Sequence, residues 1–100
     1  MNYRGAAMNK YVVSVNNFTK DQEDNLIKYL TDNGAGWWHM IHNFWLISSN
    51  NSDVTKESIR DVITKGFNGT LIIIDITNSS DWAGYGQKKD FDWMKVNWDN

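Results

Sequence analysis

Two segments near opposite ends of the chain, Lys10–Asn16 (KYVVSVN) and Thr70–Ile76 (TLIIIDI), are almost continuously apolar and rich in β-branched residues. Such a pattern is typical of strands that are covered on both faces of a sheet. We therefore expect these segments, as the first and fourth strands, to lie in the centre of one sheet. Because they are far apart in the sequence, the fold must bring both ends of the chain together.

The residues after the first strand predict a helix from about 20 to 32. Thr19 is a favoured N-cap residue, and Gln22 follows it at the spacing of a capping box. Apolar residues recur at helical spacing along the segment, namely Leu26, Ile27 and Leu30. Gly34 tolerates the left-handed backbone that ends many helices, so we expect it to follow the last turn.

Two aromatic-rich segments, 37–41 and 44–48, come next and predict a β-hairpin. His42 and Asn43 lie between them, and two residues is the spacing of a tight hairpin turn. Both residue types tolerate the left-handed region better than most. The hairpin supplies the second and third strands.

Two more helices complete the predicted elements. We expect the second helix to begin at Ser52 or Asp53, which are both N-cap residues, and to run to about residue 65, where Gly66 or Gly69 ends it. In the last segment, Lys88–Trp98, apolar residues recur at spacings of three and four and predict a short C-terminal helix.

This order of elements indicates an α+β fold. The string βαββαβ predicts a ferredoxin-like sandwich with an antiparallel sheet and an extra C-terminal helix. We assign residues 8–100 to a single domain, because the composition does not change along the chain. Residues 1–7 have no periodicity and precede Met8, so we expect them to be a disordered or non-native N-terminal extension.

Composition excludes several classes of protein. The chain of 100 residues has no cysteine, which excludes disulfides and thiolate metal ligands. Its formal net charge of −2 is not that of an unspecific nucleic-acid binder or of an acidic DNA mimic. No apolar run approaches the ~20 residues of a membrane helix, and no secretory signal is visible. We expect a cytoplasmic protein without a membrane partner.

The six tryptophans are more than a core of this size requires. Aromatic residues dominate interfaces as well as cores, so some of them are expected at a homodimer interface or at a site for a protein partner. Trp82 and Tyr85 lie in a Gly-rich loop that either folds over the core or grips a ligand. The candidate ligand- or partner-binding residues are Trp37, His39, Trp45, Trp82, Tyr85 and Lys88.

The residues that could carry catalysis do not form a set. No Ser/His/Asp or Cys/His arrangement has a recognisable nucleophile context, so we predict no catalytic residue and no cofactor. His39 and His42 are three apart and cannot share one face of a strand, which argues against a metal site; we expect one half-buried strand histidine and one turn histidine in water. Asp75 interrupts an isoleucine run and needs a hydrogen-bonding partner if it is buried.

Certain motifs resemble those of known proteins. The motif WWH at Trp37, the Trp45 of the next strand and WAGYG at Trp82 are similar to those of the small bacterial and phage proteins labelled "SinR family". More distantly, the strand order resembles the CRISPR-associated subunit that dimerises during spacer integration and virulence-associated endoribonucleases. These resemblances imply a ferredoxin-like fold and a dimer.

The resemblance to those nucleases has one departure at the site that would carry the activity. In the nuclease families a carboxylate at the end of the first strand binds a divalent metal. Asn16 and Asn17 occupy that place here, and neutral amides are poor anchors for Mg²⁺. This departure argues against nuclease activity.

Three functions remain, in order of preference. The first is a non-catalytic binding module, a homodimer that engages a protein partner through exposed tryptophans. The abundance of residues with A/T-rich codons suits a phage or mobile-element accessory protein that interferes with a host defence system. The second is a nucleotide or single-stranded RNA binder that uses Trp and Tyr stacking beside Lys88 and Lys89. The third is a metal-dependent nuclease.

Overall fold

The computed structural model describes residues 8–79 and 81–98. Residues 1–7, assigned above to an N-terminal extension, lie outside this range. The elements, in chain order, are strand β1 (Asn9–Val15), helix α1 (Lys20–Asp32), strands β2 (Gly36–Ile41) and β3 (Phe44–Ser49), helix α2 (Lys56–Ile63), strand β4 (Leu71–Asp75), a 3₁₀ turn (Lys88–Phe91) and helix α3 (Asp92–Asn97). The prediction of an α+β fold with an antiparallel sheet and a C-terminal helix is confirmed.

Within the described residues, four strands form one sheet in the order β2-β3-β1-β4, and every neighbouring pair is antiparallel. The central strands are therefore β1 and β3. The prediction that β1 and β4 are both central is wrong, because β4 lies at an edge. Its isoleucine run is only partly covered: Ile72 is 57% and Ile74 is 48% exposed.

Helices α1 and α2 cover one face of the sheet, which we call the inner face. Residues at alternate positions of β1 point into this layer, because successive side chains of a strand face opposite ways. The buried residues of this core are Tyr11, Val13, Val15, Leu26, Leu30, Ala35, Trp45, Ile47, Val54, Ile59 and Ile63. The two helices are thereby fixed against β1 and β3.

The opposite face of the sheet, the outer face, is partly covered by α3. A second and smaller core forms there from Trp38, Leu46, Met94 and Trp98. Trp38 and Leu46 are cross-strand neighbours on the sheet, while Met94 and Trp98 come from α3. The C-terminal segment therefore forms a third layer.

A buried lysine caps the end of α3. Lys10 is 2% exposed, and its Nζ donates a hydrogen bond of 2.5 Å to the backbone carbonyl of Trp98. The same Nζ lies over the indole ring of Trp98, 5.6 Å from the ring centroid. Ser48, its cross-strand neighbour, donates to the carbonyl of Asn97 at 3.4 Å. The last carbonyls of a helix lack intrahelical partners and carry partial negative charge, so a cation is favourable there.

The helix boundaries follow local chemistry. Thr19 and Gln22 form the expected capping box. After α1, Gly34 adopts a φ of 71° and donates to the carbonyl of Thr31, while Ala35 donates to that of Leu30. This pair of bonds is a Schellman motif, which needs a left-handed residue. Asn43 in the hairpin turn also has a positive φ, of 64°.

The predicted start of α2 is wrong. Thr55 is the N-cap, and it exchanges hydrogen bonds with Ser58 in a capping box. Ser52 and Asp53 lie in the preceding turn, where the Asn51 side chain accepts from the backbone of Asp53 at 2.9 Å. The helix ends at Ile63, three residues before Gly66, whose φ is 67°. None of the helices within the described residues is both long and apolar enough to cross a bilayer.

Candidate functional site

The two adjacent tryptophans of β2 face opposite sides of the sheet. Trp37 packs half-buried against the inner core, and Trp38 is buried in the outer one. Trp45 is completely buried in the inner core, with its ring edge-on to Phe18 at a centroid distance of 6.3 Å. The expectation that Trp45 offers an exposed ring is therefore wrong, because the helical layer covers it.

His39 belongs to the packing between β2 and α1. Its ring stacks on Trp45 with centroids 3.8 Å apart and planes at 6°. Its Nδ1 donates to the carbonyl of Phe44 at 2.8 Å, and its Nε2 lies 3.3 Å from the carboxylate of Glu23. Both ring nitrogens thus have partners, which gives His39 a structural role and leaves its ring out of any open site.

The other titratable groups singled out from the sequence do not converge. His42 is exposed in the hairpin turn. Asp75 is exposed at the end of β4. Its carboxyl group accepts hydrogen bonds from Thr77, and these lower its pKa, with the side-chain bond contributing more than the backbone bond. Across the described part of the chain, no three His, Asp or Glu residues are placed to hold a metal ion.

An aromatic stack organises the outer face. The Phe91 ring lies between those of Trp38, at a centroid distance of 5.9 Å, and Trp82, at 5.7 Å. Both pairs are stacked, with planes at 22° and 24°. The indole nitrogen of Trp38 also donates to the carbonyl of Asp90. The stack joins β2, the 3₁₀ turn and the loop before it.

The loop of residues 82–86 wraps around Phe91 and depends on a glycine. A Cβ atom added at Gly84 would lie 2.6 Å from the Phe91 ring, closer than real contacts allow. Gly84 therefore lets the backbone approach the ring. The next residue, Tyr85, is fully exposed. The loop thus packs against Phe91 through Trp82 and Gly84 and exposes the Tyr85 side chain to solvent.

Between this loop and the sheet is an open cleft of about 470 Å³, which we call the outer cleft. Its volume is within the range of small-ligand sites. Among the described residues that line it, Asp81 is the sole charged one. The others are Val12, Trp38, Ile41, Phe44, Leu46, Ile76, Trp82, Ala83, Gly84, Tyr85, Phe91, Met94 and Trp98.

Of the six predicted site residues, the structure brings only Trp82 and Tyr85 together at the outer cleft. Trp37, His39 and Trp45 belong to the opposite side of the sheet. Lys88 is exposed beyond the cleft lining, where its Nζ lies 3.3 Å from the carboxylate of Asp92. The tryptophan set is therefore divided by the sheet.

Sequence reasoning missed several residues of the outer cleft, chiefly Trp38, Phe91 and Ile41. The alternation rule could have separated Trp38 from Trp37, because neighbours on a strand face opposite sides. Which side is open could not be inferred, since that depends on where the helices and the C-terminal segment pack.

No family model, no curated protein and no solved structure matches this chain. The structure itself defines the class as an α+β domain with one antiparallel sheet, two helices on its inner face and an aromatic cleft on its outer face. The chemistry available in that cleft is apolar contact and ring stacking.

Proposed function

We propose that this chain is a non-catalytic binding module that takes an apolar side chain or short apolar segment of a protein partner into the outer cleft. The observation that carries the proposal is an open, aromatic-lined cleft with the fully exposed Tyr85 at its rim. Exposed apolar surface of this kind marks interaction sites, and tyrosine is enriched there because it offers area at low entropic cost.

The charge around the cleft supports a protein partner over a nucleotide. A nucleotide carries phosphates, which need cations or backbone N–H groups. Of the described lining residues, Asp81 bears the only charge, and that charge is negative. Lys88 and Lys89 follow the loop but do not line the cleft. Stacking of a base on Tyr85 remains the second candidate, because that ring is fully exposed.

A matched pair of variants tests the site. Ile41 and Met40 are neighbours on β2 and are 55% and 60% exposed, but only Ile41 lines the outer cleft. We expect Ile41→Glu to weaken binding of a peptide selected against the chain from a random library by at least about tenfold, since it places a charge on an apolar contact. Met40→Glu is expected to leave that binding unchanged.

The same peptide selection discriminates the alternatives. Equal loss in both variants, or in neither, contradicts the proposed site. Failure to select any apolar peptide, together with saturable quenching of tryptophan fluorescence by nucleotides or single-stranded RNA that Tyr85→Ala abolishes, would support the second candidate instead.

We also infer that the sheet has ferredoxin-like topology. The support is the element order βαββαβ, the strand order β2-β3-β1-β4 and the packing of α1 and α2 on the same face. The resemblance to "SinR family" proteins stays a prediction beside it.

A further inference from the structure

We propose that β4 is a self-association edge: it pairs antiparallel with β4 of a second copy, centred on Ile73, so that two sheets become one. On one side β4 is hydrogen-bonded to β1, and on the other it has no neighbouring strand among the described residues. This inference concerns the sheet edge and does not depend on what occupies the outer cleft.

The hydrogen-bond pattern shows which backbone groups point outward from β4. The N–H of Ile76 donates to the carbonyl of Lys10 at 2.8 Å, and the N–H of Asn16 donates to that of Thr70 at 3.0 Å. In an antiparallel pair, bonded positions recur at every second residue. The even-numbered residues therefore bond to β1, and the N–H and C=O groups of Leu71, Ile73 and Asp75 point away from the sheet.

Those outward groups select the register of the proposed pair. Side chains directly opposite each other must share a face, so only registers that keep odd opposite odd are compatible with the pleat. Centring on Ile73 sets Leu71 opposite Asp75 of the second copy and Ile73 opposite its own equivalent. All three outward residues then lie in hydrogen-bonded pairs. A register shifted by two residues in either direction would leave Leu71 or Asp75 opposite a residue beyond the end of the partner's β4 strand.

In this register, the exposed apolar side chains of the two copies cover each other. Ile72 lies opposite Ile74 of the second copy, and Ile74 opposite Ile72, so the two exposed isoleucines of each chain cover one another. Cross-strand pairs of β-branched residues on one face stabilise sheets. Their exposures of 57% and 48% are then explained by a surface that is covered in the dimer.

Charge complementarity points to the same occupant. Leu71 lines a groove between α2 and β4 that contains Lys56, Glu57 and Arg60, two cations and one acid. The proposed register sets Asp75 of the second copy opposite Leu71. A carboxylate thereby arrives beside Lys56 and Arg60, whose ion pairs with Glu57 at 3.3 Å and with Asp61 at 3.0 Å are exposed to solvent and therefore weak. The two-fold symmetry repeats the contact.

The two edges of the sheet differ in how they are protected. Strand β2 has a register irregularity between Trp38 and Ile41, and such bulges discourage pairing with another chain. Strand β4 pairs with β1 in continuous register, and its Leu71–Ile74 stretch has neither proline nor charge. An unprotected apolar edge is a template for strand addition.

Engineered cysteines test the register, because the natural chain has none. Residues 72 and 74 of opposite copies form a non-hydrogen-bonded pair, whose Cα atoms are about 4.5 Å apart and within reach of a disulfide. We expect a mixture of Ile72→Cys and Ile74→Cys chains in oxidised glutathione to form disulfide dimers at least about five times faster than either variant alone. Met40→Cys, on β2, is the control for the other edge.

The outcomes separate clearly. The register is contradicted if Ile72→Cys alone or Ile74→Cys alone cross-links faster than the mixture of the two. The choice of edge is contradicted if Met40→Cys cross-links faster than that mixture. Sedimentation of the unmodified chain supplies an independent readout: a monomer at about 100 µM, where even a weak specific dimer assembles, overturns the proposal.

A double variant of β4 tests whether the dimer can be disrupted. Ile72→Lys with Ile74→Lys sets like charges directly opposite each other twice, and we expect it to weaken self-association by at least about tenfold. Unchanged association contradicts the proposal. Because neither residue lines the outer cleft, peptide binding there is expected to persist at saturating peptide, so failure of the dimer is distinguishable from failure of the proposed function.

Discussion

The ring of Phe91 stacks on that of Trp38, with centroids 5.9 Å apart and planes at 22°, and so attaches the C-terminal segment to the edge strand β2. Trp38 is buried and Phe91 is half-buried, and the Phe91 ring also stacks on that of Trp82 from the preceding loop. The same contact forms one wall of the outer cleft, which links the stability of this segment to the candidate site.

Phe91→Ala is expected to lower the free energy of unfolding by about 2–4 kcal/mol, because it removes a half-buried ring that contacts two others. Urea denaturation measures this change. Tyr85→Ala is the control, with an expected change within about 0.5 kcal/mol, since its side chain is fully exposed. A loss for Phe91→Ala no larger than that of the control would mean that the stack does not hold the segment.

Gly84→Ala is expected to displace the loop of residues 82–86, because the new Cβ would overlap the Phe91 ring. Near-ultraviolet circular dichroism should change as Trp82 moves off Phe91, and peptide affinity at the outer cleft should fall about threefold to tenfold for a loop shifted by a fraction of an ångström. Ala83→Ser in the same loop serves as the comparison. An unaltered spectrum for Gly84→Ala would show that the loop accommodates the methyl group.

Lys10→Met is expected to loosen α3 while keeping an apolar stem of similar length. The variant loses the charged hydrogen bond to the carbonyl of Trp98, and we expect a destabilisation of about 1–3 kcal/mol. Hydrogen exchange should show the loss concentrated in the amides of 94–98. Lys28→Met, whose charge sits on an exposed helix face, should leave these amides unchanged.

Asp75 is expected to contribute to stability at neutral pH and not in acid. Hydrogen bonds from Thr77 hold the pKa of its carboxyl below the ordinary value, so the folded state favours the charged form. That contribution is present above the unfolded-state pKa of about 3.9 and is lost as the pH falls through the folded-state pKa. The effect is small because the group is exposed.

Asp75→Asn measures this contribution. Unfolding curves of the two proteins should differ at neutral pH and converge as the pH falls through the folded-state pKa of Asp75. A difference that stays constant across this range would assign the effect of the substitution to packing and not to the charge.

Local patterns were sufficient for much of the fold. Thr19 with Gln22 predicted the start of α1, and the two residues between the aromatic segments predicted the hairpin. Capping and turn formation are decided by neighbours within a few residues, so the sequence carries that information directly. The start of α2 was missed because three candidate N-caps lie within four positions, and the bonds of Asn51 in the preceding turn decide among them.

The candidate site was only partly predictable. Trp82 and Tyr85 were recognised because aromatics in a glycine-rich loop have no strand or helix to bury them. Trp45 was named as a candidate binding residue because tryptophans are abundant in this chain, whereas the inner core with its two helices buries it completely. Exposure depends on which face of a sheet the helices cover, and residue type does not specify that face.

By itself, the sequence determined the type and approximate limits of its elements, the α+β class and the presence of more aromatic residues than one core requires. These properties follow from periodicity and local hydrogen bonding. Only the tertiary structure decided that β4 lies at the edge, that the tryptophans are divided between two faces, and that the chain from Trp82 to Trp98 encloses a cleft. Strand order and layer packing arise from contacts between segments that are distant in the sequence. These segments compete for the same apolar surface, and no local sequence pattern shows which of them succeeds.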